Sequence, residues 1–563
     1  MKVCLMTMNA QYIHKAMSLR WLYVAKDPQF ETEIVEYTIR DDLNGCVQDM
    51  ISRKPDIVGC SVYIWNAELM KAWILLLKEA MPAVRIIIGG PEVSFEPEEW
   101  LEYPVECVLR GEGEHTFWQA VRKEEKIDGY FSQEWKSDCA YAKTDIAYLE
   151  TLESPYFLKQ DLDSMANRYF YFETSRGCPY RCSYCLSSLD NHLRFFSLPY
   201  IKKQLLQLKK IGVKQVKMLD RTFNAHRQAS FELLRWIEAE DIQACFQFEI
   251  VADTLSEEML NFLLYEAKVE RYRFEIGVQS FHLKTLQAVD RVQDNDRCKM
   301  VIQLLTKRGY TLHVDLIGGL PYEDLTQFAQ SFNVLFLTGA REIQVGILKL
   351  LKGTKLRQEA TKYDIHYESV APYTVQSTAW LDNLAIEQIY LVYQAAEKMI
   401  NSGRLYHTFH TLVQLGIITD VFALLQRCGQ RLKAVKQIQI ADYFLVLQDE
   451  LEFLCSDREL IQAILLTDYM MLFNQKPKRI FEDQVSSMLH KLIFEECINT
   501  LQIPEKLLYN YSKLQHGFFE NKICVQLLIY SNCHKKVQRI WFERDTGKVI
   551  EDERNLDCNN KSA

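Results

Sequence analysis

The stretch TSRGCPYRCSYC, from Thr174 to Cys185, determines which fold the middle of this 563-residue chain can adopt. It follows a predicted strand at Tyr169–Thr174 and places Cys178, Cys182 and Cys185 in the spacing CxxxCxxC. Its glycine and proline predict a loop, on which three thiolates can surround one compact metal centre. A four-iron cluster held by only three protein thiolates leaves one iron open for another ligand. The stretch therefore predicts an iron–sulfur loop directly after a β-strand.

Strand and helix patterns alternate after this loop. With the strand before the loop, six strands are predicted, at Tyr169–Thr174, Gln215–Leu219, Phe246–Val251, Tyr272–Val278, Leu312–Ile317 and Glu342–Leu350. Six strand–helix units in about 180 residues are typical of a partial (β/α)6 barrel of the TIM type, not of a full eight-unit barrel. In such barrels the chemistry lies at the carboxyl ends of the strands. We assign residues 169–368 to this barrel.

The first part of the chain has the pattern of a second α/β domain. Short apolar runs that predict strands occur at Lys2–Met8, Glu33–Thr38, Asp56–Tyr63, Val84–Gly90 and Val105–Leu109, with helical patterns between them. Continuous apolar strands separated by helices indicate a doubly wound, Rossmann-like parallel sheet over residues 1–125. Ligands bind such sheets at the carboxyl ends of the strands, where glycine allows close backbone approach. The small residues at those ends are Ser61, Gly89, Gly90 and Gly111.

The remaining sequence divides into a connection and a C-terminal domain. Residues 126–168 lose the alternating rhythm and are predicted to be a linker. Residues 369–563 are predicted to be mostly helical, with late strands at Ile523–Tyr530 and Val537–Glu543. Asp545-Thr546-Gly547 is predicted to be a turn into a further strand that starts at Lys548–Ile550. No motif in this domain indicates a reaction.

Composition excludes several classes of protein. With 48% hydrophobic and 25% charged residues, every large section can build a core, so the chain is not a disordered one. No uncharged apolar run approaches the roughly 20 residues of a membrane helix, and Met1–Ala10 lacks the layout of an export signal. We therefore expect a cytoplasmic protein. A net charge of -9 makes nucleic acid an unlikely partner.

The cysteine stretch closely resembles the cluster loop of the radical S-adenosylmethionine (SAM) superfamily, including the aromatic Tyr184 before the last cysteine. The resemblance implies that Cys178, Cys182 and Cys185 hold a [4Fe–4S] cluster and that Tyr184 lies at the SAM site. It further implies reductive cleavage of SAM to methionine and a 5′-deoxyadenosyl radical. Such an enzyme takes its electron from a low-potential donor such as flavodoxin or ferredoxin.

Further SAM contacts are expected at the ends of the later barrel strands. Asp220 stands where the superfamily holds the methionine amino group, although a helix N-cap or a salt bridge with Arg221 would also explain it. Glu249 and Glu275 are costly inside parallel strands unless they face a polar interior, so they are expected to point inward, toward SAM, toward substrate or into a structural ion pair. Ile317 and Gly318 resemble the strand-end motif that flanks adenine.

The domain order resembles radical SAM enzymes that carry a cobalamin-binding domain before the barrel. The resemblance implies that Ser61, Gly89, Gly90 and Gly111 form a slot for cobalamin. The best-known cobalamin motif, D-x-H-x-x-G, is absent: His14 has neither the preceding aspartate nor the following glycine. His14 is therefore expected to be a packing or helix-start histidine and not a cobalt ligand.

Two classes of function follow. The first is a cobalamin-dependent radical SAM enzyme that transfers a methyl group to an unactivated carbon, or one that forms or rearranges a ring. The second is an iron–sulfur or zinc protein that acts as a sensor or RNA-associated module without SAM turnover, with His192 as the fourth ligand of a zinc site. The other cysteines are expected to be buried packing residues.

Overall fold

The computed structural model describes residues 1–163, 168–190, 192–472, 485–530 and 536–557. The chain forms two compact units. The first comprises Met1–Leu312, Gly319–Glu323 and Ile347–Asn383, and the second comprises His313–Gly318, Asp324–Gly346 and Leu384–Ala563.

The N-terminal part of the first unit is the predicted doubly wound sheet. Its strands are β1 (Lys2–Asn9), β2 (Glu31–Thr38), β3 (Ile57–Ser61), β4 (Arg85–Gly89), β5 (Cys107–Leu109) and β6 (Tyr130–Phe131), in the order β2-β1-β3-β4-β5-β6. The helices are α1 (Met17–Val24), α2 (Leu43–Arg53), α3 (Ala67–Ala80), α4 (Pro91–Ser94) and α5 (Thr116–Arg122). Strands β1 to β5 are parallel. Two apolar clusters pack against the sheet, which explains why every residue of β3 is buried.

The segment predicted as a linker is partly built into this sheet. Strand β6 pairs antiparallel with β5, and Gly111 forms a parallel bridge with Ala142. The short helices α6 (Ile146–Thr151) and α7 (Lys159–Leu162) follow. The single-sequence pattern missed β6 because it has only two residues.

The barrel begins in the first unit and shows the predicted alternation of strands and helices. The elements here are β7 (Phe170–Phe172), β8 (Ser175–Arg176), β9 (Arg194–Phe195), α8 (Leu198–Ile211), β10 (Gln215–Met218), α9 (Arg227–Ala239), β11 (Cys245–Ile250), α10 (Glu257–Tyr265), β12 (Tyr272–Gln279), α11 (Leu283–Ala288) and α12 (Asn295–Arg308). Strands β7, β10, β11 and β12 are parallel neighbours in that order. The next repeats are β13 (Thr311–Gly318), α13 (Leu325–Phe336) and β14 (Glu342–Ile347). The six predicted barrel strands are thus all present, and the fold class is confirmed.

After the barrel strands the chain completes the first unit and then forms a mostly helical C-terminal region. The elements are α14 (Lys355–Gln358), β15 (His366–Tyr367), β16 (Val375–Ser377), α15 (Asn383–Ala396), α16 (Tyr406–Gln414), α17 (Val421–Lys433), α18 (Ile440–Glu452), α19 (Arg458–Leu472), α20 (Ser487–Asn499) and α21 (Glu505–Tyr511), then β17 (Ser512–Phe519), β18 (Lys522–Tyr530), β19 (Lys536–Phe542) and β20 (Val549–Asp557). The last four strands form one antiparallel sheet in sequence order, two strands more than the sequence predicts in full. No helix among the described residues is long and apolar enough to cross a membrane.

The C-terminal region contains a histidine that makes its stability depend on pH. His410 on α16 stacks on Phe336 with ring centroids 4.5 Å apart, and its Nε2 atom has no hydrogen-bond partner among the described residues. Burial lowers the pKa of His410 from 6.5 to about 4. The unfolded chain therefore binds a proton at this residue between pH 6.5 and 4 that the folded chain does not bind, so stability falls as the pH falls through this window.

We expect His410→Leu to remove part of this acid sensitivity. Between pH 7.5 and pH 4.5 the preference of the unfolded chain for this proton lowers stability by about 2.5 kcal/mol, a loss that leucine does not cause. Urea unfolding of both proteins at pH 7.5 and pH 4.5 measures the effect. An equal loss of stability in both proteins on acidification would show that His410 is not responsible.

Candidate functional site

The predicted cluster loop is tightly folded between β8 and a short helical turn at Leu186–Leu189. The side chains of Cys178 and Cys182 are 8% and 7% exposed, and Cys185 is half-buried. Backbone hydrogen bonds fix the loop, because the amide of Cys178 donates to the carbonyl of Asp190 at 3.1 Å and the amide of Ser183 to that of Val289 at 2.9 Å. The loop is thus held from several sides.

Two of the three sulfur atoms of this loop have a polar or cationic side chain beside them. Cys178 Sγ lies 3.8 Å from the Thr222 hydroxyl, and Cys182 Sγ lies 3.8 Å from Nη1 of Arg291. Arg291 also donates to the carbonyl of Gly277. A buried cation next to a thiol stabilises the thiolate form that a metal requires. Tyr184 lies against Cys182 and Arg291, and burial raises the pKa of this phenol well above its ordinary value.

These surroundings fit an iron–sulfur cluster. Among the described residues, no three Cys, His, Asp or Glu side chains converge on a point where one metal ion would sit. A cubane cluster does not require such convergence, since each thiolate binds a different iron. Three thiols on one loop, with a cationic donor beside one sulfur and a hydroxyl beside another, are the donor set that a three-cysteine cluster uses.

Asp220 fixes the start of the loop. Its carboxylate is fully buried and accepts hydrogen bonds from the Thr174 amide at 3.0 Å, the Thr174 hydroxyl at 2.5 Å and the Ser175 hydroxyl at 2.6 Å. Both oxygens are thereby hydrogen-bonded within the protein, and a contact of Asp220 with the methionine amino group stays a prediction. Neither an N-cap nor a salt bridge with Arg221 is seen among its described contacts. The side chain instead positions the strand end that leads into the cysteines.

Glu249 and Glu275 lie where the sequence placed them, on the polar face of the barrel strands. They are direct neighbours in the register of β11 and β12, and both are half-buried. Glu275 accepts a hydrogen bond from Gln247 at 3.0 Å and lies 4.0 Å from the ammonium group of Lys217. The alternate residues of these strands are buried aromatic and aliphatic side chains, which pack outward. A role of the two glutamates toward SAM stays a prediction.

Ile317 and Gly318 end β13, which belongs mainly to the second unit. Ile317 is half-buried and Gly318 is buried. Their contact with adenine likewise stays a prediction.

A cavity of about 670 Å³ in the first unit contains all four residues predicted to bind cobalamin. Ser61, Gly89, Gly90 and Gly111 line it at the carboxyl edge of the N-terminal sheet, and Ser175, Arg176 and Gly177 at the base of the cluster loop line it as well. Aromatic side chains complete the wall: Trp21, Tyr63, Trp65, Phe95, Phe117, Tyr141 and Tyr171. A large cavity whose wall combines aromatic side chains with polar and charged groups is typical of a cofactor site.

Two of these glycines are required by the backbone itself. Gly90 has a φ of +111°, and a Cβ atom there would lie 2.5 Å from the carbonyl oxygen of Val62. Gly111 has a φ of +100°, and its Cβ would lie 2.3 Å from the carbonyl oxygen of Ala142. Any side chain would force the cavity wall apart. The two glycines thus allow the close backbone approach on which this edge of the cavity depends.

His14 also lines this cavity. Its Nδ1 atom lies 2.5 Å from the Tyr171 hydroxyl, and burial lowers the pKa of the ring. The histidine is thus neutral at pH 7 and tied to the first barrel strand. The sequence indicated neither this partner nor the position at the cavity.

Sequence reasoning also missed a buried ionic network beside the cluster loop. Arg176 pairs with Glu114 at 2.8 Å, with Glu112 at 3.3 Å and with Glu173 at 3.0 Å. Arg194 binds Glu112 as well. Burial would raise the pKa of Glu112, but the two arginines outweigh burial and hold it below its ordinary value. The only hint of this network in the sequence was the pair of glutamates in Gly111-Glu112-Gly113-Glu114, directly after β5.

Comparison with known families assigns the three parts of the chain. Residues 4–121 match the B12 binding domain, residues 172–335 match the radical SAM superfamily, and residues 361–547 match a family of unknown function, DUF4080. A radical SAM domain implies a [4Fe–4S] cluster and SAM, and a B12 binding domain implies cobalamin, as predicted.

Individual relatives are similar to this chain over about half of its length. The cobalamin-dependent radical SAM methyltransferase TokK of Streptomyces tokunonensis is 26% identical over 335 residues, which cover 52% of this chain and 47% of TokK. The anaerobic magnesium-protoporphyrin IX monomethyl ester cyclase of Rubrivivax gelatinosus is 24% identical over 306 residues, which cover 50% of this chain and 54% of the cyclase. The chain thus spans about half the length of these relatives.

A solved structure shows the same fold. The cobalamin-dependent SAM radical enzyme OxsB, with aqua-cobalamin and SAM bound, matches with a TM-score of 0.59 at 16% identity, covering 83% of this chain and 78% of OxsB. The domain matches show a B12-binding domain followed by a radical SAM domain, and the likeness to OxsB shows that the fold is shared.

Proposed function

We propose that the protein reductively cleaves SAM at a [4Fe–4S] cluster and uses cobalamin to transfer a methyl group to an unactivated carbon. The observation that supports this most is the shared cavity, whose wall is formed on one side by the N-terminal sheet edge and on the other by the base of the cluster loop. One cavity can thus present a bound cobalamin to the cysteines. TokK, a relative over half of the chain, is named as a methyltransferase that depends on cobalamin.

In this proposal residues 1–125 bind cobalamin and residues 169–368 bind the cluster and SAM, with 126–168 between them and no role assigned to 369–563. Cys178, Cys182 and Cys185 would hold the cluster. When bound, the cluster and SAM supply a 5′-deoxyadenosyl radical that abstracts hydrogen, and cobalamin supplies the methyl group. Arg291 keeps a positive charge beside Cys182, and the Thr222 hydroxyl lies beside Cys178. The aromatic side chains of the cavity would pack against a bound cobalamin.

Ring formation without methyl transfer is the second candidate, because a relative of similar coverage is named as a cyclase. The two differ in their products. Methyl transfer consumes SAM twice, once as radical source and once as methyl source, and releases S-adenosylhomocysteine beside 5′-deoxyadenosine. Ring formation yields no S-adenosylhomocysteine.

The test is an anaerobic cleavage assay on protein reconstituted with iron and sulfide, with and without hydroxocobalamin. We expect 5′-deoxyadenosine that requires a reductant, and S-adenosylhomocysteine that requires cobalamin, both measured by mass spectrometry. Dithionite serves as the chemical reductant in this assay. Reduced flavodoxin or ferredoxin, the proposed class of physiological electron donor, should support the same reaction in its place. Iron-loaded protein that forms no 5′-deoxyadenosine would contradict the proposal, and a colourless zinc-containing protein would favour the sensor alternative.

A further inference from the structure

Arg176 is the residue that joins the wall of the cavity to the cluster loop. It stands two positions before Cys178 and is 12% exposed. Its guanidinium pairs with Glu112 and Glu114 from the loop after β5, and bidentately with Glu173 from the end of the first barrel strand, at 3.0 and 3.2 Å. One cation therefore bridges the N-terminal domain and the barrel.

The carboxylates around Arg176 are themselves held in place. Glu114 accepts from the Thr144 hydroxyl at 3.0 Å, and Glu112 accepts from the Thr144 amide at 2.8 Å. Glu173 accepts from the indole of Trp21 at 2.5 Å, and the Arg176 guanidinium lies 5.4 Å from the centre of that indole ring. Arg176, Glu112, Glu114, Glu173 and Trp21 all line the cavity. The network is therefore part of the candidate cobalamin site and of the loop base at the same time.

We propose that Arg176 is a positioning residue that couples cobalamin binding to cluster loading. This inference rests on the proposed function. Loading the cluster fixes the cysteine loop, residues 177–185, and with it the adjacent Arg176. Through its ion pairs, Arg176 then holds a second loop, the one after β5 that carries Glu112 and Glu114. Because Glu112 and Glu114 line the candidate cobalamin site, a position that Arg176 holds more firmly lets cobalamin bind more tightly. The coupling is reciprocal, so bound cobalamin stabilises the loaded cluster loop by the same factor.

The experiment is a titration of the full-length protein with hydroxocobalamin, followed by absorbance, in the cluster-free and the cluster-loaded form. We expect cobalamin to bind the loaded wild-type protein about tenfold more tightly than the cluster-free protein. In Arg176→Lys this ratio should fall to about one, because lysine keeps the charge but cannot make the forked contacts to several carboxylates. A residue that served stability alone would change both affinities and leave their ratio intact.

Two further variants complete the test. Glu114→Gln leaves the sequence of the cluster loop unchanged and should also lower the ratio of the two cobalamin affinities. If Arg176→Lys does not take up iron, the Glu114→Gln result tests the coupling in its place. Arg85→Lys is the matched control, since Arg85 binds Glu106 in a fork at the opposite end of β4 and does not line the cavity. It should retain the wild-type ratio.

The outcomes separate this inference from the function on which it rests. Equal cobalamin affinity of the loaded and cluster-free wild-type protein, or an unchanged ratio in Arg176→Lys and Glu114→Gln, overturns the coupling alone. Failure of cobalamin to bind either form overturns the proposed cobalamin chemistry and the coupling with it. A tenfold ratio that disappears in the two variants and persists in Arg85→Lys supports the proposal.

Discussion

Cys182→Ala is expected to reduce the iron and sulfide content of the reconstituted protein to background and to abolish 5′-deoxyadenosine formation. A cluster with three protein ligands cannot lose one of them and keep a single open iron. The cationic Arg291 would also lose the sulfur beside which it is buried. Iron and sulfide assays, the absorbance near 400 nm and the cleavage assay measure the result.

Cys298→Ala is the matched control. Cys298 on α12 is also a buried cysteine, 2% exposed, and burial raises the pKa of its thiol to about 12, so that it remains protonated. This variant should keep wild-type iron content and activity. If Cys182→Ala retained full 5′-deoxyadenosine production, the assignment of the cluster to this loop would be wrong.

Asp220→Ala is expected to lower the free energy of unfolding of the first unit by about 4 kcal/mol and to reduce cluster uptake. The substitution removes one buried carboxylate that accepts three hydrogen bonds. The hydroxyls of Thr174 and Ser175 can turn toward new partners, but the Thr174 amide cannot. The strand end before the cysteines then loses its fixed position. Urea unfolding followed by tryptophan fluorescence, together with iron content after reconstitution, measures both effects.

Asp241→Ala provides the comparison for an exposed acid. Asp241 pairs with Lys268 and Arg271, but its side chain is 58% exposed. Exposed ion pairs contribute little, so this variant should unfold almost as the wild type does. Equal stability of the Asp220 and Asp241 variants would show that the three hydrogen bonds do not fix the loop.

The sequence predicted the parts of the fold that depend on local pattern. Strand β3 is a continuous apolar run buried on both faces, and its prediction needed no partner. Strand β20, with the sequence VIEDERNLD, was recognised only at its start because charged residues interrupt it. It becomes a strand through pairing with β19. Tertiary pairing of this kind is not visible in the residues themselves.

The same distinction applies to the candidate site. The three cysteines lie within eight residues and were found by spacing alone. The partners of Asp220 lie 45 and 46 positions earlier in the chain, and Arg176 is more than 60 positions from Glu112 and Glu114. A buried acid and a buried arginine reveal their partners only when the chain is folded. The structural role of Asp220 at the loop was therefore not foreseen, its ligand role stays a prediction, and Arg176 was given no role.

The segment around Ala142 pairs with the chain at Gly111, and this pairing limits where the N-terminal domain can be joined to the rest of a related protein. The amide of Ala142 donates to the carbonyl of Arg110, and the carbonyl of Ala142 accepts from the amide of Glu112, both at 2.9 Å. A chimera joined at residue 125 would take these two hydrogen bonds from a foreign segment. A junction after α6 would keep Gly111 and the segment around Ala142 in the same domain. It would also keep the buried Leu149 of α6 with its own packing partners.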